Sequence, residues 1–167
     1  MTIDSTRGVL FVHSAPKALT PHVEWAAGKA LGHAVNFAWH EQPVLPGSLR
    51  AEYEWNGPVG SAAAIASALR GWEHLRFEVT EEASPGVDGG RFMHTPDLGV
   101  FYVHIDAAGN SVIQEERISY ALELAAGDAA EITRELRLAL GSAWDEELEP
   151  FRYAGDDSSV VWLHRVG

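Results

Sequence analysis

An α+β fold is predicted by three observations. Several short segments alternate apolar and polar residues with period two, and two alanine-rich stretches carry helical spacing punctuated by Pro and Gly. These segments follow one another in the order β-α-β-β-α-β over residues 8–82. That order is the ferredoxin-like split βαβ unit, whose antiparallel sheet carries both helices on one face. Two right-handed crossovers set its topology. The other half, 83–167, reads as a β-hairpin, two or three helices and a C-terminal strand. The expected organisation is a disordered N-terminus at 1–7 and a single merged domain over 8–167.

Each element has a local cause. GVLFVH, residues 8–13, is apolar on both faces, the pattern of a central strand. In LTPHVEWAAGKALG, Thr20 suits an N-cap, Pro21 the first helical position and Gly32 the C-terminal stop. Val23, Ala26, Ala27, Ala30 and Leu31 form one stripe. Val35, Phe37 and Trp39 alternate in one strand, and Ala51, Tyr53 and Trp55 in the next, with Pro43, Pro46 and Gly47 as the turn between. GPVGSAAAIASALRGW is the second helix, its alanines allowing close approach to a sheet. LRFEVTEEA follows as a strand with Leu75, Phe77 and Val79 inward. Its outward residues, with Arg50, Glu52 and Glu54 before them, suggest a solvated face bearing Arg76 and Glu78.

Residues 83–90 are a Gly-rich loop, and RFMHTPDLGVFYVHID is a hairpin turning at Thr95-Pro96-Asp97. Ile118, Ala121, Leu122 and Ala125 stripe one helix. Ile132, Leu136, Ala139, Leu140, Ala143 and Trp144 stripe another, with a bend possible at Gly141-Ser142. VVWLHRV closes the chain as a strand. The doubly apolar segments Val9–Val12 and Val100–Ile105 are expected where the second half covers the first.

Twenty-four acidic against 12 basic residues give a net charge of −12, which repels phosphate backbones and anionic headgroups. Nucleic acid and membrane surfaces are therefore not expected partners; a protein with a basic contact surface is. The absence of cysteine excludes disulfides, thiolate catalysis and Cys-ligated zinc. No signal-peptide pattern and no stretch of ~20 apolar residues is present, so a cytoplasmic location is expected. None of the eight histidines has the tight spacing of a local metal motif. No metal and no cofactor are expected.

Four candidate regions remain. His13 and Ser14 end the first strand just before a helix, where free N–H groups and the helix dipole attract anions, and Lys17 adds charge. Neighbouring strand residues point to opposite faces, so His13-Ser14 is not a nucleophile-base pair, and a capping or turn role competes with ligand contact. In GVDGGRFMHTPDLG, Arg91, His94, Thr95 and Asp97 surround glycines able to cradle an anion, although Thr-Pro-Asp-Leu is also an ordinary turn. Trp25 lies opposite the apolar stripe of its helix, beside His22 and Lys29. It is either an exposed partner contact or is covered by the second half, and the need to pack extra helices favours covering. WDEELEPF gathers Asp145, Glu146, Glu147 and Glu149, a solvated acidic surface for docking a basic partner.

The strings RGVLFVHSAPKALTPHVEWAAGKALG, ASALRGWEHLRFEVTEEASPG, GGRFMHTPDLG and ELRLALGSAWDEELEPFR…VVWLHRVG together resemble the actinobacterial domain-of-unknown-function family 3145. The resemblance covers nearly the whole chain and implies no catalytic residues. It implies an accessory role in lipid metabolism, through genes near those of type II fatty-acid synthesis.

With no catalytic constellation above background, the expected function is a non-catalytic accessory or regulatory protein. It would act through protein–protein contact or small-ligand sensing. The alternative is an enzyme or an acyl- or anion-binding protein, which requires the His13–Lys17 turn and the Arg91–Asp97 loop to converge on one pocket. Self-association as a homodimer is a third expectation.

Overall fold

A computed structural model describes residues 4–153. Seven antiparallel strands form one sheet: β1 (Ser5–Pro16), β2 (His40–Glu41), β3 (Ser48–Pro58), β4 (Arg76–Glu81), β5 (Gly89–Thr95), β6 (Gly99–Ile105) and β7 (Ser111–Val112). Their order is β2-β3-β1-β4-β5-β6-β7. Five helices accompany them: α1 (Thr20–Leu31), α2 (Ser61–Leu69), α3 (Glu115–Ala125), α4 (Ala129–Leu140) and α5 (Ser142–Arg152). The expected four-stranded sheet is thus not the whole sheet, because the hairpin β5–β6 continues it past β4. The expected C-terminal strand lies outside the described residues.

Strand alternation sorts the sheet into two faces. Leu10 and Val12 of β1, with Phe77 and Val79 of β4, pack against Val23, Ala26 and Ala27 of α1 and Ile65, Ala66 and Leu69 of α2. Those helix residues are the stripe that the 3.6-residue period marks. On the opposite face, the row Phe11–Glu78–Met93–Phe101 runs across β1, β4, β5 and β6. Over it lies α5, whose Arg152 reaches Glu78 and Met93 and whose Leu148 is fully buried.

Several expectations are corrected. Disorder is expected over 1–7, but Ser5, Thr6 and Arg7 belong to β1 and pair with Pro58, Gly57 and Asn56. Residues 34–39 form no strand, and only His40 and Glu41 pair with β3. The reason is a competing acceptor: Glu24 of α1 takes hydrogen bonds from the Phe37 N–H and the Trp39 indole N–H, both at 2.9 Å. Val35 and Phe37 are buried nonetheless. Leu19, not Thr20, is the N-cap of α1, because a 3-10 turn over Lys17–Leu19 runs straight into the helix and the Thr20 hydroxyl donates back to the Lys17 carbonyl. Gly32 does end α1, in the left-handed region at φ 80°. The bend at Gly141 is a complete break, where φ 75° separates α4 from α5.

Cover by the second half also differs from expectation. Glu78 is completely buried under α5, so the outer face of β4 is not solvated at its centre. Val100 and Tyr102 are exposed rather than covered. Ile118 and Leu122, half of the expected α3 stripe, face outward as well.

Candidate functional site

The densest chemistry lies between the sheet and α5. Glu78 sits mid-strand in β4 with its side chain on the α5 face. Its Oε2 accepts hydrogen bonds from His13 Nε2 at 2.5 Å and Arg152 Nε at 2.9 Å. Its Oε1 accepts from Arg152 Nη2 at 2.5 Å and Arg91 Nη2 at 2.8 Å. Asp145, one turn into α5, bridges the two guanidiniums at 3.0 and 2.8 Å. Glu149 adds a longer contact to Arg152 at 3.4 Å. The sequence folds this way locally because Asp145 and Arg152 are seven residues apart, two helical turns, and so share one face of α5.

Burial by itself would push the Glu78 carboxyl up. The hydrogen bonds and charges of His13 and Arg152 outweigh it and hold the group well below the usual carboxylate range. Burial likewise opposes the charge on Arg152, which Glu78 and Asp145 restore and raise above its ordinary value. Glu78 thus stays ionised with both oxygens occupied by its own chain.

A bulge places His13 there. The register of β1 slips between Val12 and Ala15 against β3, and between Val12 and Ser14 against β4. Gln42 pins the bulge by donating from Nε2 to the His13 carbonyl at 2.7 Å and, at 3.4 Å, to the Phe151 carbonyl near the end of α5. The His13 ring stacks on Phe11. Ser14 is buried and accepts a 3.3 Å bond from Arg76 Nη1.

The other predicted residues are dispersed. Lys17 pairs with Glu41 in solvent. His94 faces the α1–α2 side of the sheet, where Nδ1 donates to the Leu75 carbonyl at 2.7 Å and the ring stacks on Phe77. Burial holds its pKa below the ordinary value, against the raising effect of that carbonyl. The Thr95 hydroxyl accepts from the Leu98 N–H, a turn role, and Asp97 is exposed in that turn. Arg91 and His13 therefore meet at Glu78, while Lys17, His94 and Asp97 join neither.

Trp25 is 64% exposed. Lys29 Nζ lies 5.2 Å from its ring centroid, and the exposed His22 flanks Trp72 at 6.3 Å. Covering by the second half does not occur, because α5 packs on the far face of the sheet. Glu146 is exposed, whereas Asp145 and Glu149 turn to arginines. The acidic stretch is therefore only partly a solvated surface.

A cavity of about 760 Å³ opens on the face of the sheet that α5 packs against, over the row Glu54–Val9–Thr80–Arg91 that crosses β3, β1, β4 and β5. Arg7, held by Glu82 at 2.8 Å, and the loop after β6 form its rim. His13, Ser14, His94 and Asp97 do not line it. Among the described residues no three His, Asp or Glu side chains gather as a metal site, and no helix is long and apolar enough to cross a membrane.

Glu78, Gln42 and Arg152 are the residues that sequence reasoning missed. The available signal was indirect: α5 is amphipathic, and its apolar Leu148 needed a sheet face to cover.

Comparison with known proteins returned no match among curated proteins and none among solved structures. One family model, described as protein of unknown function (DUF3145), matches residues 9–165. That span takes in every strand and helix described above except the first four residues of β1, and the chain belongs to this family.

Proposed function

We propose that this is a non-catalytic accessory protein that works through protein–protein contact. One contrast carries the reading. The buried carboxylate, imidazole and guanidiniums are consumed by one another, while large apolar side chains stand in solvent on α1, α3 and α4. Trp25 is 64% exposed, and Tyr120, Leu122 and Leu124 are each at least half exposed. Exposed apolar surface of this kind marks interaction sites in stable proteins. An anion at the Glu78 cluster would have to displace Glu78 or Asp145 from Arg91 and Arg152, which argues against the anion-binding alternative.

The element order β1-α1-β2-β3-α2-β4, with β2-β3-β1-β4 as neighbours, supports reading residues 8–82 as a ferredoxin-like unit within the larger sheet. An acidic surface at Glu146, Glu52 and Glu54 supports a partner with a basic face.

Cross-linked co-purification from native cells tests the proposal. The wild type is expected to retain a stoichiometric protein that Trp25→Ala or Leu122→Glu loses, with the circular dichroism of both variants unchanged. A lone species that turns over a substrate, with Glu78→Gln abolishing the turnover, would reverse the reading.

A further inference from the structure

We propose that the outer edge of β3 binds a basic, extended segment of a partner protein as an added β-strand, a placement that rests on the contact role proposed above.

The edge is open because of a local diversion. β3 runs from Ser48 to Pro58, but β2, on its outer side, pairs only with Leu49 and Arg50. The preceding residues, 34–39, would extend β2 along β3, yet Glu24 of α1 holds the Phe37 N–H and the Trp39 indole N–H. Phe37 packs instead against the Tyr53 ring at 5.0 Å, within the core under α1 and α2. Among the described residues, none pairs with β3 beyond Arg50 on its outer side. The Ser48 carbonyl accepts from the Gln42 N–H, so Ser48 turns its backbone groups outward. Strand alternation turns those of Glu52, Glu54 and Asn56 the same way. Their N–H and C=O groups line about 13 Å of edge. Such a row is a template for strand addition, in which main-chain bonds supply affinity and alternate side chains supply specificity.

Side-chain chemistry selects the occupant. Glu52, Glu54 and Asn56 are exposed on the α5 face and form one wall of the cavity there. The other carboxylates that line it are engaged: Glu81 with the Gly60 and Ala62 N–H groups, Glu82 with Arg7, and Asp106 with the Ala108 and Asn110 N–H groups. Its guanidiniums are taken too, Arg7 by Glu82 and Arg91 by Glu78 and Asp145. Glu52 and Glu54 make no hydrogen bond or ion pair among the described residues. A strand added to β3 sets its own alternate side chains beside these two glutamates, where Lys or Arg is favoured and a like charge is not. The same rule disfavours a second copy joined edge to edge, because β3 against β3 sets glutamates beside glutamates. The residues between fall on the side of the half-buried Tyr53, where apolar side chains fit.

The probe is a fluorescein-labelled, capped peptide of alternating lysine and valine, KVKVKVK, with EVEVEVE as its counterpart. Fluorescence anisotropy on the full chain is expected to show binding of the lysine peptide and about tenfold weaker binding of the glutamate peptide. Glu52→Lys with Glu54→Lys, at unchanged circular dichroism, should reverse that preference. In a second measurement on the wild type, N-methylating the backbone of one alternate set, all lysines or all valines, should abolish binding. Methylating the other set should leave it intact, because only one set of N–H groups faces β3. No binding of the lysine peptide, a preference that the double substitution leaves in place, or equal effects of the two methylated sets overturns the proposal. The assay needs no native partner, so its failure is distinct from a failure of co-purification to retain one.

Discussion

Glu78 carries a charge in a place without water, so its partners must do what solvent does elsewhere. Removing the charge leaves Arg91 and Arg152 buried against a neutral amide. Glu78→Gln is expected to cost about 3–5 kcal/mol in urea denaturation, the usual effect of stripping one member from a buried pair. The pH dependence has a defined sign. The folded pKa of Glu78 lies below its ordinary 4.5, so its contribution is complete above that pH and is lost as pH falls through the folded value. His94 acts in the same direction at higher pH. Burial lowers its pKa from 6.5, so stability starts to fall as pH drops below 6.5. Denaturation midpoints from pH 7 to pH 3 should show Glu78→Gln with a shallower acid limb than the wild type. At the surface the expectation is the opposite: Trp25→Ala should change stability by less than about 0.5 kcal/mol, since it leaves no cavity.

Helix termini make the predictions at the scale of elements. The N-cap of α2 is Gly60, at φ 96° and without a side chain to cap with. Glu81 of β4 replaces it, accepting from the Gly60 N–H at 3.0 Å and the Ala62 N–H at 3.0 Å. A carboxylate there satisfies two orphan donors and meets the positive end of the helix dipole. Glu81→Gln should lower the unfolding free energy by about 1 kcal/mol, read from chemical denaturation. Gly141 both ends α4 and starts α5, and a Cβ on it would lie 2.6 Å from the Phe101 ring. Gly141→Ala adds the left-handed backbone penalty of about 1–2 kcal/mol to that overlap, and a lowered melting temperature is the check. These elements were the legible part of the sequence. Alanine stripes, Gly32 and Gly141, and the Thr95–Leu98 turn act over a few residues, so their causes lie side by side in the chain. The strand expected at 34–39 failed where Glu24, more than ten residues upstream, took the Phe37 N–H and the Trp39 indole.

For the molecule as a whole, the β4–β5 ladder makes the two halves one sheet, and α5 ties them together across its second face. The helix reaches Glu78 of β4, His13 of β1 through Glu78, Gln42 before β3, and Gly99 of β6 through the Trp144 indole N–H at 2.9 Å. A chain ending at Gly141 would leave Glu78, Phe11 and Met93 facing water. Loss of the cooperative thermal transition, with binding of a hydrophobic dye, is the expected result. The net charge of −12 works at the same scale, as a mutual repulsion between copies of the chain.

By itself the sequence determined the α+β class, the helices α1, α2 and α4, the hairpin β5–β6 and the family. Tertiary structure alone decided that Glu78 is buried, that Trp25 is not, and that His13 and Arg91 meet. Period-two alternation distinguishes the two faces of a strand but says nothing about whether another element covers the polar one. The partners of Glu78 stand 65, 13 and 74 residues away in His13, Arg91 and Arg152, a separation that only packing can close.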